Sequence, residues 1–217
     1  MPERPAPDTP AQRPPGPGRP KDLGKRAAIL DAAKRMFTTQ GFAGVSMDQI
    51  AAEAGVSKLT VYSHFGDKET LFAAAVKSHC EQGLPDTLFA ELPDMPLRER
   101  LMDIARAFFA MISAPAAIAG HRILCSPQMA NSQLPQMFWE AGPKRIQAAF
   151  AELLVRRVKA GELDVPDPAL ASAQFFALLK GEPHAQLVFG CCAVPAAAIE
   201  PHLAASVDMF LRAYAAR

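Results

Sequence analysis

The sequence predicts an all-α fold. Apolar residues recur at the spacing of helix faces in every long segment, and alanine, the strongest helix former, is abundant throughout. Glycine and proline interrupt these segments at intervals that suit helices, and no segment shows the apolar–polar alternation of a half-buried strand. We therefore expect about nine helices, with short helices near the N-terminus and a longer helical body after them.

The first predicted helix runs from about Leu23 to Gln40. Its apolar face consists of side chains at helical spacing: Ile29, Ala32, Ala33, Met36 and Phe37. Gly41 follows, a residue type that commonly ends helices, and Phe42 is placed to fold back onto Phe37. This helix is therefore expected to end at Gly41.

Further short helices are expected next, each with its own cap. Ser46 and Gln49 have the spacing of a capping box, and they begin a short helix that Gly55 ends. Ser57 caps a helix from Lys58 to Phe65, and Asp67 caps the one that follows. The first two of these, joined by a tight turn, form a helix-turn-helix over residues 46–65.

The remainder is predicted to be helical throughout. Helices are expected near 96–113, 115–125, 133–160, 167–182 and 195–216. The boundaries are set by Pro115, Pro127, Gly161, Pro166, Pro168, Pro183 and Pro195. The Gly142–Pro143 step predicts a kink, or a division into two helices, within 133–160.

The composition excludes several classes of protein. Half of the residues are hydrophobic, which is too many for a largely disordered chain. The N-terminus lacks the apolar segment of a signal peptide, and no apolar stretch is long enough to span a bilayer, so we expect a soluble, cytoplasmic protein with no membrane partner. The histidines are scattered and no CxxC pair or Gly-rich phosphate loop occurs, so no catalytic site, metal or cofactor is predicted.

The four cysteines are Cys80, Cys125, Cys191 and Cys192. Adjacent cysteines cannot easily hold one tetrahedral metal ion. We interpret all four as reduced and mostly structural. A redox role for the pair Cys191–Cys192 remains the alternative.

The helix 58–65 has an unusual outer face. Polar-tipped side chains crowd it, at Lys58, Thr60, Tyr62, Ser63 and His64. A helix that reads DNA needs short hydrogen-bonding groups that meet base edges and phosphates. The helix N-termini capped by Ser46 and Asp67 add backbone donors for phosphate oxygens. This pattern favours DNA binding.

Residues 1–20 contain eight prolines, which predicts a disordered arm. Arg19 and Lys21 stand at its end, where they either stay solvated or touch DNA. Residues 1–80 carry a net charge of +3 and residues 81–217 a net charge of −2, a mild bias of the sign that phosphate requires. We divide the chain into an arm (1–20), a DNA-binding head (21–82) and a body (83–217).

The stretch from Gly55 to Glu69, GVSKLTVYSHFGDKE, resembles the signature of the tetracycline-repressor (TetR/AcrR) family of bacterial transcription regulators. The approach to it, from Ile29 through Ala51, is similar as well, so the resemblance covers about residues 20–75. It implies an N-terminal three-helix helix-turn-helix head followed by a helical ligand-binding and dimerisation body. It also implies a ligand-responsive repressor that binds a palindromic operator in double-stranded DNA as a homodimer.

The resemblance implies DNA contacts at matching positions. Tyr62 and His64 correspond to a pair that holds backbone phosphates, and Lys68 corresponds to a further phosphate contact. Lys58, Thr60 and Ser63 occupy positions that point into the major groove, and Leu59 would touch a thymine methyl. Ser46 is expected to be both a cap and a phosphate ligand.

The body resembles the family only in layout. In the family, the last two long helices form a four-helix dimer interface. This places in the interface Phe176, Leu179, Leu203, Val207, Phe210 and Tyr214. A buried core within one chain would explain the same apolar pattern.

A ligand pocket is expected among the methionines and aromatic residues of the body. Its predicted lining is Phe108, Met111, Ile112, Met129, Phe138, Trp139, Phe150 and Phe175, with His121 and His184 as polar exceptions that orient the ligand. The effector is then a small hydrophobic molecule, uncharged or weakly acidic. The same side chains would also suit plain core, and the competing function is a helical small-molecule-binding or scaffold protein with a vestigial DNA head.

Overall fold

The computed structural model describes residues 22–90, 95–129 and 131–216. Within these ranges the chain forms ten α-helices: α1 (Leu23–Gln40), α2 (Met47–Glu53), α3 (Lys58–Phe65), α4 (Lys68–Gly83), α5 (Leu97–Ser113), α6 (Pro115–Leu124), α7 (Leu134–Ala141), α8 (Pro143–Lys159), α9 (Pro168–Phe189) and α10 (Ala196–Tyr214). Short 3-10 turns cover Asp86–Leu88 and Pro127–Met129. The all-α prediction is confirmed, whereas the expectations for the arm, Arg19 and Lys21 lie outside the described residues.

Local hydrogen bonds begin the short helices as predicted. The capping box is complete: the Ser46 N–H donates to Gln49 Oε1 at 2.7 Å, and the Gln49 N–H donates to Ser46 Oγ at 3.2 Å. Ser57 Oγ accepts from the Thr60 N–H, and Asp67 Oδ1 accepts from the Thr70 N–H. Each cap satisfies a backbone donor that has no partner inside its own helix.

The end of α1 also follows the prediction. Gly41 has a φ of +72°, which an L side chain rarely adopts. The chain turns back there, so that the rings of Phe37 and Phe42 stack with centroids 5.6 Å apart. Phe72 of α4 meets both rings edge-on and ties α1 to α4.

Buried side chains form two separate apolar cores. The head core joins α1 to α4 and includes Ile29, Ile50, Val61, Phe65 and Leu71. The body core joins α5, α8, α9 and α10 around the rings of Phe108, Phe150, Phe175, Phe176 and Phe210. The head meets the body where α6 packs on α1 and where α4 packs on α5 and α7.

The prolines did not all end helices. The predicted helix over 133–160 is divided into α7 and α8 at Gly142, but Pro183, expected as a boundary, lies inside α9. The break is at Gly181 instead, with φ +46° and ψ −155°. Pro183 then stands near the start of the next helical stretch, where a missing N–H costs little. His202 of α10 supports the break, because its Nε2 lies 3.1 Å from the Leu179 carbonyl oxygen.

The predicted dimer residues need correction. Five of them are at most 4% exposed within a single chain: Phe176, Leu179, Leu203, Val207 and Phe210. They pack against α5 and α8 in the body core, so they do not form a surface that a second copy could reach. Tyr214 is partly exposed, and its hydroxyl donates to Gln174 Oε1 at 2.6 Å.

In the described part of the chain, no single helix has both the length and the apolar composition needed to cross a membrane. The pair α5 and α6 reaches these limits together, with a bend of 66° between them.

Candidate nucleic-acid interface and ligand region

The turn between α2 and α3 holds the two helices at a fixed angle. Gly55 adopts a φ of +65°, and the Val56 N–H donates to the Ala51 carbonyl at 3.0 Å. On α3, Val61 and Phe65 are buried against the head core. Because these two side chains face inward, the opposite face of α3 lies towards solvent.

The outer face of α3 is open and polar-tipped, with one apolar side chain. Leu59 is 79% exposed and Tyr62 is 41% exposed. The Ser63 hydroxyl donates to the Thr60 carbonyl, and the Thr60 hydroxyl shares a 2.8 Å hydrogen bond with Ser57 Oγ. Leu59 is therefore the most prominent apolar group on this face, as a thymine-methyl contact requires.

Lys58 has a partner that the sequence pattern did not indicate. Its Nζ lies 2.8 Å from a carboxylate oxygen of Asp48 on α2 and 5.9 Å from the centre of the Tyr62 ring. The hydrogen bond to Asp48, together with its charge, raises the pKa of Lys58. Both side chains are exposed, and such pairs contribute little to stability.

Lys68 occupies the first position of α4, and its Nζ lies 4.2 Å above the Phe42 ring. The guanidinium of Arg26, on α1, lies 5.1 Å from the centre of the Phe65 ring, so a second cation borders the head. No motif in the sequence marked Arg26, because its position depends on how α1 crosses α3.

His64 is less open than the resemblance implies. It is partly buried, its ring lies against Phe65, and its Nδ1 is enclosed without a hydrogen-bond partner among the described residues. Ser46 is exposed, and its hydroxyl already accepts the Gln49 N–H. The structure therefore places every predicted DNA residue on the head, but it gives Tyr62, Leu59 and Ser63 more exposure than His64.

The residues predicted to line a ligand pocket fall into separate groups. Phe108, Phe150 and Phe175 fill the body core; the last two stack with ring centroids 4.5 Å apart. Trp139 is 46% exposed on α7. Met111 and Ile112 pack at the edge of the core, while Met129 and Phe138 lie in or beside the α6–α7 region.

His121 and His184 are brought together from distant parts of the chain. Their rings meet edge-on with centroids 5.5 Å apart, and neither ring forms a hydrogen bond within the described residues. Burial lowers the pKa of both, and that of His184 to about 4, with smaller contributions from His121 and Lys180. Burial also lowers the pKa of Lys180, which no motif in the sequence marked.

A hollow of about 480 Å³ lies elsewhere on the body. It is bounded by Asp86, Phe89, Ala90, Ala149, Glu152 and Arg156, none of which belongs to the predicted pocket.

Comparison with known proteins shows which family has this architecture. Residues 29–75 match the family profile described as bacterial regulatory proteins of the tetR family. Residues 99–216 match the profile described as the C-terminal domain of AefR-like transcriptional repressors. The second match alone covers more than half of the chain.

Similar proteins support the same family. The chain is 31% identical over 157 residues to the transcriptional regulator EthR of Mycolicibacterium smegmatis, a match that covers 70% of this chain and 69% of EthR. It is 32% identical over 100 residues to the transcriptional activator FasR of the same organism, but that match spans only 46% of this chain and 45% of FasR. The solved structure of the flavonoid-responsive regulator FrrA is 33% identical, with a TM-score of 0.70 over 90% of this chain and 100% of FrrA. The chain therefore belongs to the tetR family of DNA-binding transcriptional regulators.

Proposed function

We propose that this chain is a ligand-responsive repressor that binds a palindromic operator as a homodimer. The observation that carries the DNA-binding part is the open outer face of α3, where Leu59, Tyr62 and Ser63 project from a helix anchored by Val61 and Phe65. Repression is supported by the description of the matching C-terminal profile. FasR is named an activator, so this relative favours activation instead of repression.

The small size of the DNA-binding surface on one chain supports a dimer. A two-turn helix meets few base pairs, and two copies related by a twofold axis would read both halves of a palindrome about one helical turn apart. Helices α9 and α10 lie within residues 99–216, which match the profile of a repressor C-terminal domain.

Exposed residues on α9 and α10 offer a surface for this dimer. Leu170, Gln174 and Ala177 follow one another at helical spacing on α9, and Ala205, Met209 and Ala213 do so on α10. The hydrogen bond between Tyr214 and Gln174 joins the α9 stripe to α10. Leu170 and Met209 are each about half exposed, so the two stripes present apolar surface that a second copy of the chain would cover.

The effector region of the proposal lies between α6 and α9. Lys180 is partly buried and has no ion-pair partner among the described residues, and His121 and His184 lie within its electrostatic reach. A weakly acidic aromatic molecule would bring the negative charge that this region lacks, and it would pack on the neighbouring apolar side chains. FrrA is named for a response to flavonoids, which are phenols of this kind.

A mobility-shift assay with the DNA upstream of its own gene tests the proposal, followed by selection of bound fragments from a genomic library. We expect a sequence-specific complex that survives excess nonspecific DNA. Tyr62→Ala is expected to weaken all DNA binding, whereas Ser63→Ala changes the preferred sequence. Specific binding to no fragment would refute the proposal and favour a scaffold with a vestigial head.

Dimerisation and ligand response have their own measurements. Sedimentation should give a dimer for the native chain and a monomer for Met209→Lys, with Lys159→Met as a control on another helix. A panel of phenols should release the operator from the native protein, with a weaker response from Lys180→Met. A native chain that sediments as a monomer in the presence of operator would refute the dimer.

A further inference from the structure

The adjacent thiols Cys191 and Cys192 lie in the connection between α9 and α10. Gly190 ends α9 in the left-handed conformation, with φ +66°, and the two cysteines follow it directly. Both side chains are exposed, and their Sγ atoms are 3.1 Å apart. The two sulfurs therefore already face each other on the protein surface.

The separation of the sulfurs is short enough for a single atom to bridge them. A tetrahedral ion with bonds of about 2.3 Å to thiolates would hold two sulfurs about 3.8 Å apart and would need two more ligands. No group of three or more potential metal ligands occurs among the described residues. A three-coordinate pyramidal centre with bonds of similar length and near-right angles would hold the sulfurs about 3.3 Å apart. Arsenic(III) is such a centre, and it binds thiolates strongly.

The other two cysteines are poorer sites for a thiol reagent that chelates. Cys80 is partly covered, and burial raises the pKa of its thiol to about 11. Cys125 is exposed but has no cysteine next to it in the sequence. Beside the pair, Phe189 is 78% exposed and offers an apolar surface to an organic group carried by the arsenic.

Packed elements connect this pair to the DNA-binding head, because α6 touches the end of α9 and also packs on α1. Arg122 of α6 donates from Nε to the Val188 carbonyl at 2.6 Å and from an Nη to the Leu187 carbonyl at 2.7 Å, so it holds the C-terminal end of α9. The next residue, Ile123, comes within 3.9 Å of the position that a Cβ on Gly41 would occupy. Gly41 ends α1, the helix on which the head core is built.

We propose that Cys191 and Cys192 form a binding site for a trivalent arsenical, and that its occupation is transmitted through Arg122 and α6 to α1. Two thiols react with an arsenoxide, R–As=O: two As–S bonds form, the oxygen leaves as one water with the two thiol protons, and arsenic stays trivalent. No electron transfer is needed. The new ring stiffens the connection directly after the residues that Arg122 holds.

The binding step is tested with phenylarsine oxide on the full-length protein. Intact mass spectrometry should show one arsenical per chain, bound with loss of one water, that persists in excess glutathione and is removed by dithiothreitol. Chelation by a second thiol typically adds a factor of about 10²–10⁴ in affinity. Cys191→Ser and Cys192→Ser should each therefore lose at least about 10²-fold, whereas Cys80→Ala/Cys125→Ser should bind as the native protein does. Equal binding by Cys191→Ser, or adducts on Cys80 or Cys125, would overturn the site.

The transmission step is tested without DNA, so that it does not depend on the proposed function. Hydrogen exchange of α6 and of the end of α1 around Gly41 should change when phenylarsine oxide binds the native protein. Arg122→Gln should still bind the arsenical, with the change confined to the connection 190–195. Unchanged exchange in α6 and α1 of the native protein would overturn the coupling. Any effect of the arsenical on operator affinity rests on the proposed function. The two can fail separately: unchanged hydrogen exchange refutes the coupling, whereas absence of an operator complex refutes the proposed function.

Discussion

Removal of one cation from the proposed DNA surface should change the salt dependence of binding by a calculable amount. Lys68 stands at the start of α4 with its ammonium 4.2 Å above the Phe42 ring, so the ring holds the charge at the edge of the head. A lysine that neutralises one phosphate contributes about 0.9 to the slope of log K against log salt. Lys68→Met should lower that slope by about this amount for any DNA sequence.

The slope converts into a measurable ratio. A loss of about 0.9 in slope means that the affinity deficit of Lys68→Met shrinks about 3.5-fold as salt rises from 50 to 200 mM. Fluorescence anisotropy with a nonspecific duplex measures this without knowledge of the operator. The lost contact with Phe42 should cost about 0.5–1 kcal/mol of stability, so a thermal melt is run to confirm that the variant is folded at the assay temperature.

Lys77→Met provides the matched control. Lys77 is an exposed lysine on the same helix, nine residues further on and therefore about 13 Å away along the helix axis, more than a Debye length at 0.1 M salt. Its loss should leave the slope almost unchanged. An unchanged slope for Lys68→Met, or an equal change for Lys77→Met, would refute the assignment of Lys68 to phosphate.

Other expected outcomes concern stability. Ser46→Ala removes one half of the capping box and should cost about 1 kcal/mol, seen as a drop of about 2–4 °C in Tm; an unchanged melting curve would contradict the cap's contribution. Phe210→Ala should cost about 3–5 kcal/mol in urea titrations, and a cost below about 1 kcal/mol would show that the buried face of α10 is misassigned. Burial holds the pKa of His184 at about 4, so on acidification the unfolded chain binds a proton near pH 6.5 that the folded chain does not bind. Stability should therefore fall as the pH is lowered from about 6.5 to about 4. His184→Gln should flatten that fall, and an equally steep fall in the variant would assign it to other groups.

Features set by near neighbours could be predicted from the sequence. The capping box of Ser46 and Gln49, the caps Ser57 and Asp67, and the turn at Gly41 depend on atoms a few residues apart, so their residue types and spacing suffice. The all-α class followed from periodicity for the same reason. Because the helix-turn-helix is built from such local features, its residues resembled the family before any contact was known.

Only the tertiary structure decided which faces of the helices are buried. An apolar stripe on α10 has the same pattern whether a second chain or its own body covers it, and the burial of Phe210 and Leu203 shows that the body does. The partner of Lys58, the approach of His121 to His184 and the anchoring of α9 by Arg122 depend on how helices far apart in the chain cross. The local sequence does not encode those crossings, because they result from the packing of the whole core. The sequence by itself therefore determined the helices and the helix-turn-helix, and packing decided what each helix face contacts.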